Sequence, residues 1–193
     1  MRADARRNRE RIAAAALRLF AERGAAASME EVARAAEVGV GTLYRHFPDR
    51  RALLDEIAVT ALDRLLGFGR EVADEAEAAG EAGRGAPEGP DATPHWDALV
   101  RFVEYCTLQP LALVKQLSGG TSANPDRHEK ERASDALIAE LAGRAQKEGT
   151  LRGDLAPDEV VAVLSAAVCR PGARFDDPLT RVMLDGLRNR APG

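Results

Sequence analysis

Apolar positions recur three and four residues apart along most of this chain, the period of helices that bury one face. Over residues 4–23 the inward set is Ile12, Ala16, Leu19 and Phe20. A second long helix opens near Asp49, carries Leu53, Ile57, Ala61, Leu62, Leu65 and Leu66, and is predicted to reach about residue 79, with Gly67 and Gly69 loosening it. The helix predicted over 95–108 is apolar on most sides, with Leu99, Val103 and Cys106 along one and Phe102, Tyr105 and Gln109 along another. Further helices are expected from Pro110, over 126–147, from Pro157 and over 178–190. No stretch shows the strict alternation of a half-buried strand. Residues 80–94, GEAGRGAPEGPDATP, lose the apolar period and are read as a flexible loop. The expected fold class is therefore all-α.

One stretch is more specific. Residues 28–54 read SMEEVARAAEVGVGTLYRHFPDRRALL. Ser28 and Glu31 have the S-x-x-E spacing of a capping box, so a short helix should start at Ser28, with Val32, Ala33 and Ala36 inward. Glu37-Val38-Gly39 then makes a turn, with Gly39 expected to supply the unusual backbone angles. In the next short helix Leu43 and Phe47 are four apart and face inward, which leaves Thr42, Arg45 and His46 outside and Tyr44 at the boundary. Two short helices at this spacing, the second with a thin apolar seam and an outer face of hydrogen-bonding groups, suit a helix-turn-helix in a DNA major groove.

These residues resemble the TetR family of bacterial transcriptional repressors. Arg11-Ile12, Ala15-Ala16, Leu19-Phe20 and Gly24 are similar to that family's first helix and its stop, and Thr42-Leu43-Tyr44-Arg45-His46-Phe47 to its recognition-helix hallmark. Arg50 falls where the family usually carries Lys or Arg at the start of the fourth helix. The likeness covers roughly the first 55 residues, and 148–155, EGTLRGDL, looks like the loop before the family's last two helices. It implies a three-helix DNA-binding domain over 1–51. A helical effector-binding and dimerisation domain over 52–193 would follow, joined to the first by the fourth helix, the only element expected to belong to both ends.

Charge supports this division. The net charge is −4, yet residues 1–51 hold 11 arginines against 7 acidic residues, so the acidic excess lies wholly in the remainder. A basic module on an acidic body fits a protein that sets one end against phosphates. Arg2, Arg6, Arg7, Arg9 and Arg11 are expected to approach the DNA backbone. Cys106 and Cys169 are far apart in sequence and read as reduced, packed thiols of a cytoplasmic protein. No signal peptide or membrane span is evident.

The candidate chemistry follows. The DNA-binding set is Ser28, Val40, Gly41, Thr42, Tyr44, Arg45, His46 and Arg50, the last by resemblance. Thr42 offers a hydroxyl and a methyl to a base, Tyr44 and His46 can donate to phosphate, and Arg45 can take a guanine or the backbone. Val40 and Gly41 open the helix with almost no hydrogen-bonding capacity, so shape and methyl contacts gain weight. The effector candidates are Leu62, Leu66, Phe102, Tyr105, Cys106, Gln109 and Leu113, a mostly apolar set with two polar handles. His95 and His128 lack a partner at metal-ligand spacing, so no metal site, cofactor or catalytic constellation is expected. The leading reading is a homodimeric repressor released from a palindromic operator on double-stranded DNA by a small apolar or amphipathic effector. Its rival is a DNA-binding regulator without such a ligand, and an all-α enzyme is a distant third. Dimerisation is expected through Val161, Leu164, Val168, Leu179, Val182, Met183 and Leu187 of the last two helices.

Overall fold

The structure, a computed structural model, describes residues 2–83, 93–120 and 122–189. Nine α-helices are present among them: α1 (Arg2–Arg23), α2 (Met29–Ala35), α3 (Val40–His46), α4 (Arg50–Gly83), α5 (Pro94–Leu108), α6 (Leu111–Leu117), α7 (Pro125–Glu148), α8 (Pro157–Val168) and α9 (Pro178–Leu187). A single 3-10 turn, Gly24–Ala26, follows α1. Among the described residues the only extended pairing is an isolated antiparallel bridge between Leu151 and Arg188, which ties the end of α9 back to the α7–α8 connection. The chain is all-α. No helix among the described residues is long and apolar enough to cross a membrane.

Two apolar cores organise the helices. In the N-terminal one, Ile12, Phe20, Val32, Leu43 and Phe47 meet Leu53, Leu54 and Ile57 of α4. The first two turns of α4 thus complete the core of the preceding helices. The larger core packs α4 against α5 and α7, with α8 and α9 closing over its far end. The sequence pointed to α4 as the sole element shared by both cores, and the structure adds α6. Val114 is buried in the N-terminal core, with Leu113 and Leu117 packed beside it, and Leu111 touches both cores.

Local signals explain most helix ends. Asn124 accepts hydrogen bonds from the backbone N–H groups of Asp126 and Arg127, and Pro125 fits the first turn of α7. Gly149 ends α7 in the left-handed region at φ 84°. Glu148 reaches back to accept from the N–H groups of His95 and Trp96 at 3.2 and 3.3 Å, satisfying the free end of α5. Asp177 caps α9 through the Thr180 N–H at 2.9 Å.

Two expectations are corrected. The expected loop at 80–94 begins later, because α4 continues through Gly83 and α5 starts at Pro94; 84–92 lie outside the described residues. Gly69 does not loosen α4, which is unbroken there. A Cβ on Gly69 would stand 2.4 Å from both Phe102 Cε2 and Leu137 Cδ2. The missing side chain lets α5 and α7 seat on α4 at one level.

Gly69→Ala should therefore lower stability by about 1–3 kcal/mol through overpacking, read as a fall in the denaturation midpoint. Adding Phe102→Leu should recover part of the loss. A variant as stable as the parent would show that the crossing has slack.

Candidate nucleic-acid interface and effector cavity

The N-terminal helices form the expected pair around a turn. Ser28 Oγ accepts from the Glu31 N–H at 3.2 Å while Glu31 accepts from the Ser28 N–H at 2.9 Å, so the capping box is complete. Ser28 thereby shapes the start of α2. The turn differs in one respect from the reading of the sequence. Glu37, not Gly39, takes the left-handed conformation, at φ 54°, while Gly39 is extended at φ −66° and ψ 144° as the N-cap of α3. Arg11 supports that turn by donating to the carbonyls of Ala36 at 2.6 Å and Glu37 at 3.3 Å. A cation on the last carbonyls of α2 also complements its dipole.

Leu43 and Phe47 anchor α3, both essentially without exposure. Their burial fixes the rotation of α3 and turns Val40, Gly41, Tyr44 and Arg45 to solvent, with Thr42 and His46 half-buried. Arg45 donates to Thr42 Oγ1 at 3.0 Å, so the two present one linked polar group. The Tyr44 hydroxyl lies 3.4 Å from a Glu30 carboxylate oxygen on α2.

Several arginines expected to face phosphate are held within the protein. Arg50 donates to the carbonyls of Gly24 at 3.0 Å and Ala27 at 2.6 Å, and its guanidinium sits 4.2 Å above the Phe20 ring. It closes the end of α1 and the turn after it, which gives it a structural task apart from any contact with DNA. Arg9 pairs with Glu56 at 2.6 Å, donates to the His46 carbonyl at 3.1 Å and lies over Phe47. Arg6 and Arg7 remain at the surface in short-range pairs with Glu10 and Asp4.

In the larger body, a cavity of about 330 Å³ opens among α4, α5, α6, α7 and α8. Its floor is apolar, made by Leu62, Leu65, Leu111, Ile138 and Val168. Its polar wall comes mostly from α7: Arg127, Glu131, Ser134 and Asp135, with Ser165 of α8 and Lys115 of α6 near them. Cys106 and Cys169, distant in sequence, both reach it, and both are free. Burial pushes the Cys106 thiol far up, with the neighbouring Cys169 adding to the shift. Burial raises Cys169 too. Both thiols are therefore protonated and poor nucleophiles.

Of the seven effector candidates, Leu62 and Cys106 lie on this wall. The other five are placed elsewhere. Leu66 and Phe102 belong to the core, Phe102 closing on Gly69. The Tyr105 ring stacks on Phe68 at 4.2 Å. Leu113 packs on the N-terminal core, and Gln109 borders a separate cavity of about 170 Å³ between α1 and α4. The α7 contribution escapes a reading of apolar positions because the first half of that helix is highly charged. The signal was present: Arg127, Glu131, Ser134 and Ile138 recur at i, i+4, i+7 and i+11, one stripe of a helix.

At the inner end of that stripe is a buried ion pair. Arg127 Nη1 donates to Asp55 Oδ1 of α4 at 3.0 Å, and both side chains are under a tenth exposed. Ser122 donates to the same oxygen at 2.8 Å, and Arg127 Nε donates to Glu131 at 2.8 Å. The cavity wall is thus wired to α4 just above the DNA-binding helices. Among the described residues no cluster suits a metal ion.

Comparison with known proteins places these features. The family described as "Bacterial regulatory proteins, tetR family" matches residues 12–57, and "Transcriptional regulator SbtR-like, C-terminal domain" matches 96–189. An HTH-type transcriptional regulator of Staphylococcus aureus is 38% identical over 76 residues, a match spanning 39% of this chain and 41% of that protein. The chain thus matches about two fifths of the length of that curated relative. The crystal structure of a TetR transcription regulatory protein from Mycobacterium vanbaalenii is 29% identical with a TM-score of 0.63, covering 97% of this chain and 98% of the other. AibR, crystallised with isovaleryl coenzyme A and operator DNA, has the same fold at 18% identity and a TM-score of 0.59, over 93% and 95% of the two chains.

Arg50→Ala should cost about 2 kcal/mol of stability, since two carbonyl acceptors and a ring lose their cation. Thermal denaturation should show the loss in the absence of DNA. An unchanged midpoint would return Arg50 to the surface.

Proposed function

The chain belongs to the TetR family of bacterial regulatory proteins, and we propose that it is a homodimeric, cytoplasmic repressor whose α3 reads a palindromic operator and whose α7-lined cavity takes the releasing effector. That family consists of transcriptional regulators, not enzymes. The observation that carries the DNA-reading part is the orientation of α3. Leu43 and Phe47 are locked in the core, and the opposite face, with Thr42, Tyr44 and Arg45, is open. Residues 1–51 form the basic head; 52–193 form the body, with the first turns of α4 shared.

Dimerisation is read from α9. Leu179 and Val182 are 48% and 66% exposed on its outer face, three residues apart, so they form one apolar ridge. Leu164 and Leu187, expected beside them, are buried in the subunit's own core. The interface therefore draws first on Leu179 and Val182, since Val161 is partly buried against the subunit's own core. Two-fold pairing there would set two α3 helices on one face of the DNA.

Effector control is favoured over a ligand-free regulator by the cavity itself, whose volume lies in the range of small-molecule sites. AibR offers a precedent for an acyl ligand and an operator on this fold. An occupant touching Arg127 or Glu131 acts next to Asp55 of α4, and α6, lining the cavity through Leu111 and Lys115, carries Val114 into the N-terminal core. Either route shifts the DNA-reading head only if the ligand prefers the released state.

Thr42→Ala and Tyr44→Ala should each weaken operator binding by about 1–3 kcal/mol while leaving the fold and oligomer intact. Wild-type affinity in both would overturn the assignment of α3. Val182→Asp should give monomers by light scattering that no longer hold the operator. A dimer of full mass would place the interface elsewhere.

A further inference from the structure

The charges around the cavity are not balanced. Arg127 is the buried cation, and it already faces two carboxylates, Asp55 and Glu131. Asp135, one turn beyond Glu131 on the same face of α7, makes no hydrogen bond or ion pair among the described residues. Lys115 is an exposed, flexible cation at the mouth, and it leaves the group one negative charge in excess. Two carboxylates at i and i+4 repel each other. Desolvation by the wall, then the Glu131 charge, holds the Asp135 carboxyl above its usual range. His128, half exposed on α7, also touches Glu131, its Nδ1 3.5 Å from that carboxylate and its Nε2 2.8 Å from the Ser122 carbonyl.

A second, independent feature points the same way. Ser134 is only 7% exposed, lines the cavity, and its hydroxyl has no hydrogen-bond partner among the described residues. The Ser134 Oγ itself is not fully buried, so it opens onto the cavity and is available to an occupant. It sits beside Asp135, so one donor-rich group between them would meet Ser134 Oγ and both carboxylates. Below it lie Leu62, Leu65 and Ile138, apolar and without polar handles.

We propose that the cavity is a site for a cationic amphiphile, an ammonium or amidinium head seated between Glu131 and Asp135 with Ser134 accepting from it, and an apolar body on Leu62, Leu65 and Ile138. This rests on the reading of the cavity as the effector site. It also supplies the trigger. A cation beside Glu131 competes with Arg127 Nε for that carboxylate and repels the guanidinium, which is the group holding Asp55 of α4.

Three probes with one apolar body separate head-group chemistry from burial: octylammonium, octanol and octanoate. Titrated calorimetrically into the dimer at pH 7, octylammonium should bind at least tenfold more tightly than octanol, and octanoate most weakly. Asp135→Asn removes charge without breaking a contact, and it should abolish most of that tenfold preference while octanol affinity stays put. Octanoate binding as well as octylammonium, a preference that survives Asp135→Asn, or no binding by any probe would each overturn the proposal. Operator affinity, measured by anisotropy on the DNA flanking the gene, separates it from the functional reading. Asp135-dependent binding of octylammonium with operator affinity unchanged upholds the site and removes effector release. Release by octanol or octanoate but not by octylammonium keeps effector release and overturns the cationic site.

Discussion

A guanidinium taken out of water must be paired, and Arg127 meets that demand by fastening three parts of the molecule together. Its partner Asp55 belongs to the second turn of α4, the same turn whose leucines complete the N-terminal core. Ser122, on the same carboxylate oxygen, brings in the α6–α7 connection. Removing Arg127 or Asp55 strips the other buried charge of its main partner, a cost on the order of several kcal/mol. Such a pair adds less to net stability than to uniqueness of arrangement: it sets the register of α7 against α4. Because Glu131 shares Arg127, the same constraint reaches the wall of the cavity.

The arginine-rich head illustrates how one residue type serves two ends. Arg9, Arg11 and Arg50 each donate to backbone carbonyls at helix ends, and two of them also stack on phenylalanines of the core. Small helices leave a large share of their carbonyls without partners, and a planar multi-donor cation satisfies several at once. The head is therefore stiffened by the charges that make it basic. The positive potential remains, since pairing with a carbonyl does not neutralise it. Fewer side chains are then free at the surface, where α3 presents Tyr44, Arg45 and the half-buried Thr42.

Two physical paths join the cavity to the N-terminal helices. One is the polar chain from Asp135 through Glu131 and Arg127 to Asp55. The other is α6, a helix of seven residues whose Leu111 touches both cores and whose Val114 is buried in the N-terminal one. A packed apolar contact transmits displacement because it has no slack, whereas an ion pair transmits it by exchange of partners. Both reach the start of α4 or the core that its first turns complete.

The helices, their caps and the two faces of α3 were legible in the sequence, because periodicity, Ser28 with Glu31 and the Leu43–Phe47 spacing are local and each has one low-energy solution. So was the family, through the run from Thr42 to Phe47. Local pattern was silent on which apolar residues would be wall and which would be filling. Phe102 and Leu66 look like ligand contacts on a helical wheel, yet the approach of α5 permitted by Gly69 buries them. Arg127 looks like solvated charge, yet α4 supplies a carboxylate that brings it inside, with Glu131 following it only part of the way. Glu37, two residues before Gly39, bears the left-handed backbone, and Arg11 reaches across from α1 to donate to its carbonyl. The sequence by itself determined the elements and the face each helix of the reading head would bury. The tertiary structure decided the cavity, its charge and its connection to the N-terminal core, since all three arise where residues far apart in the chain share one space.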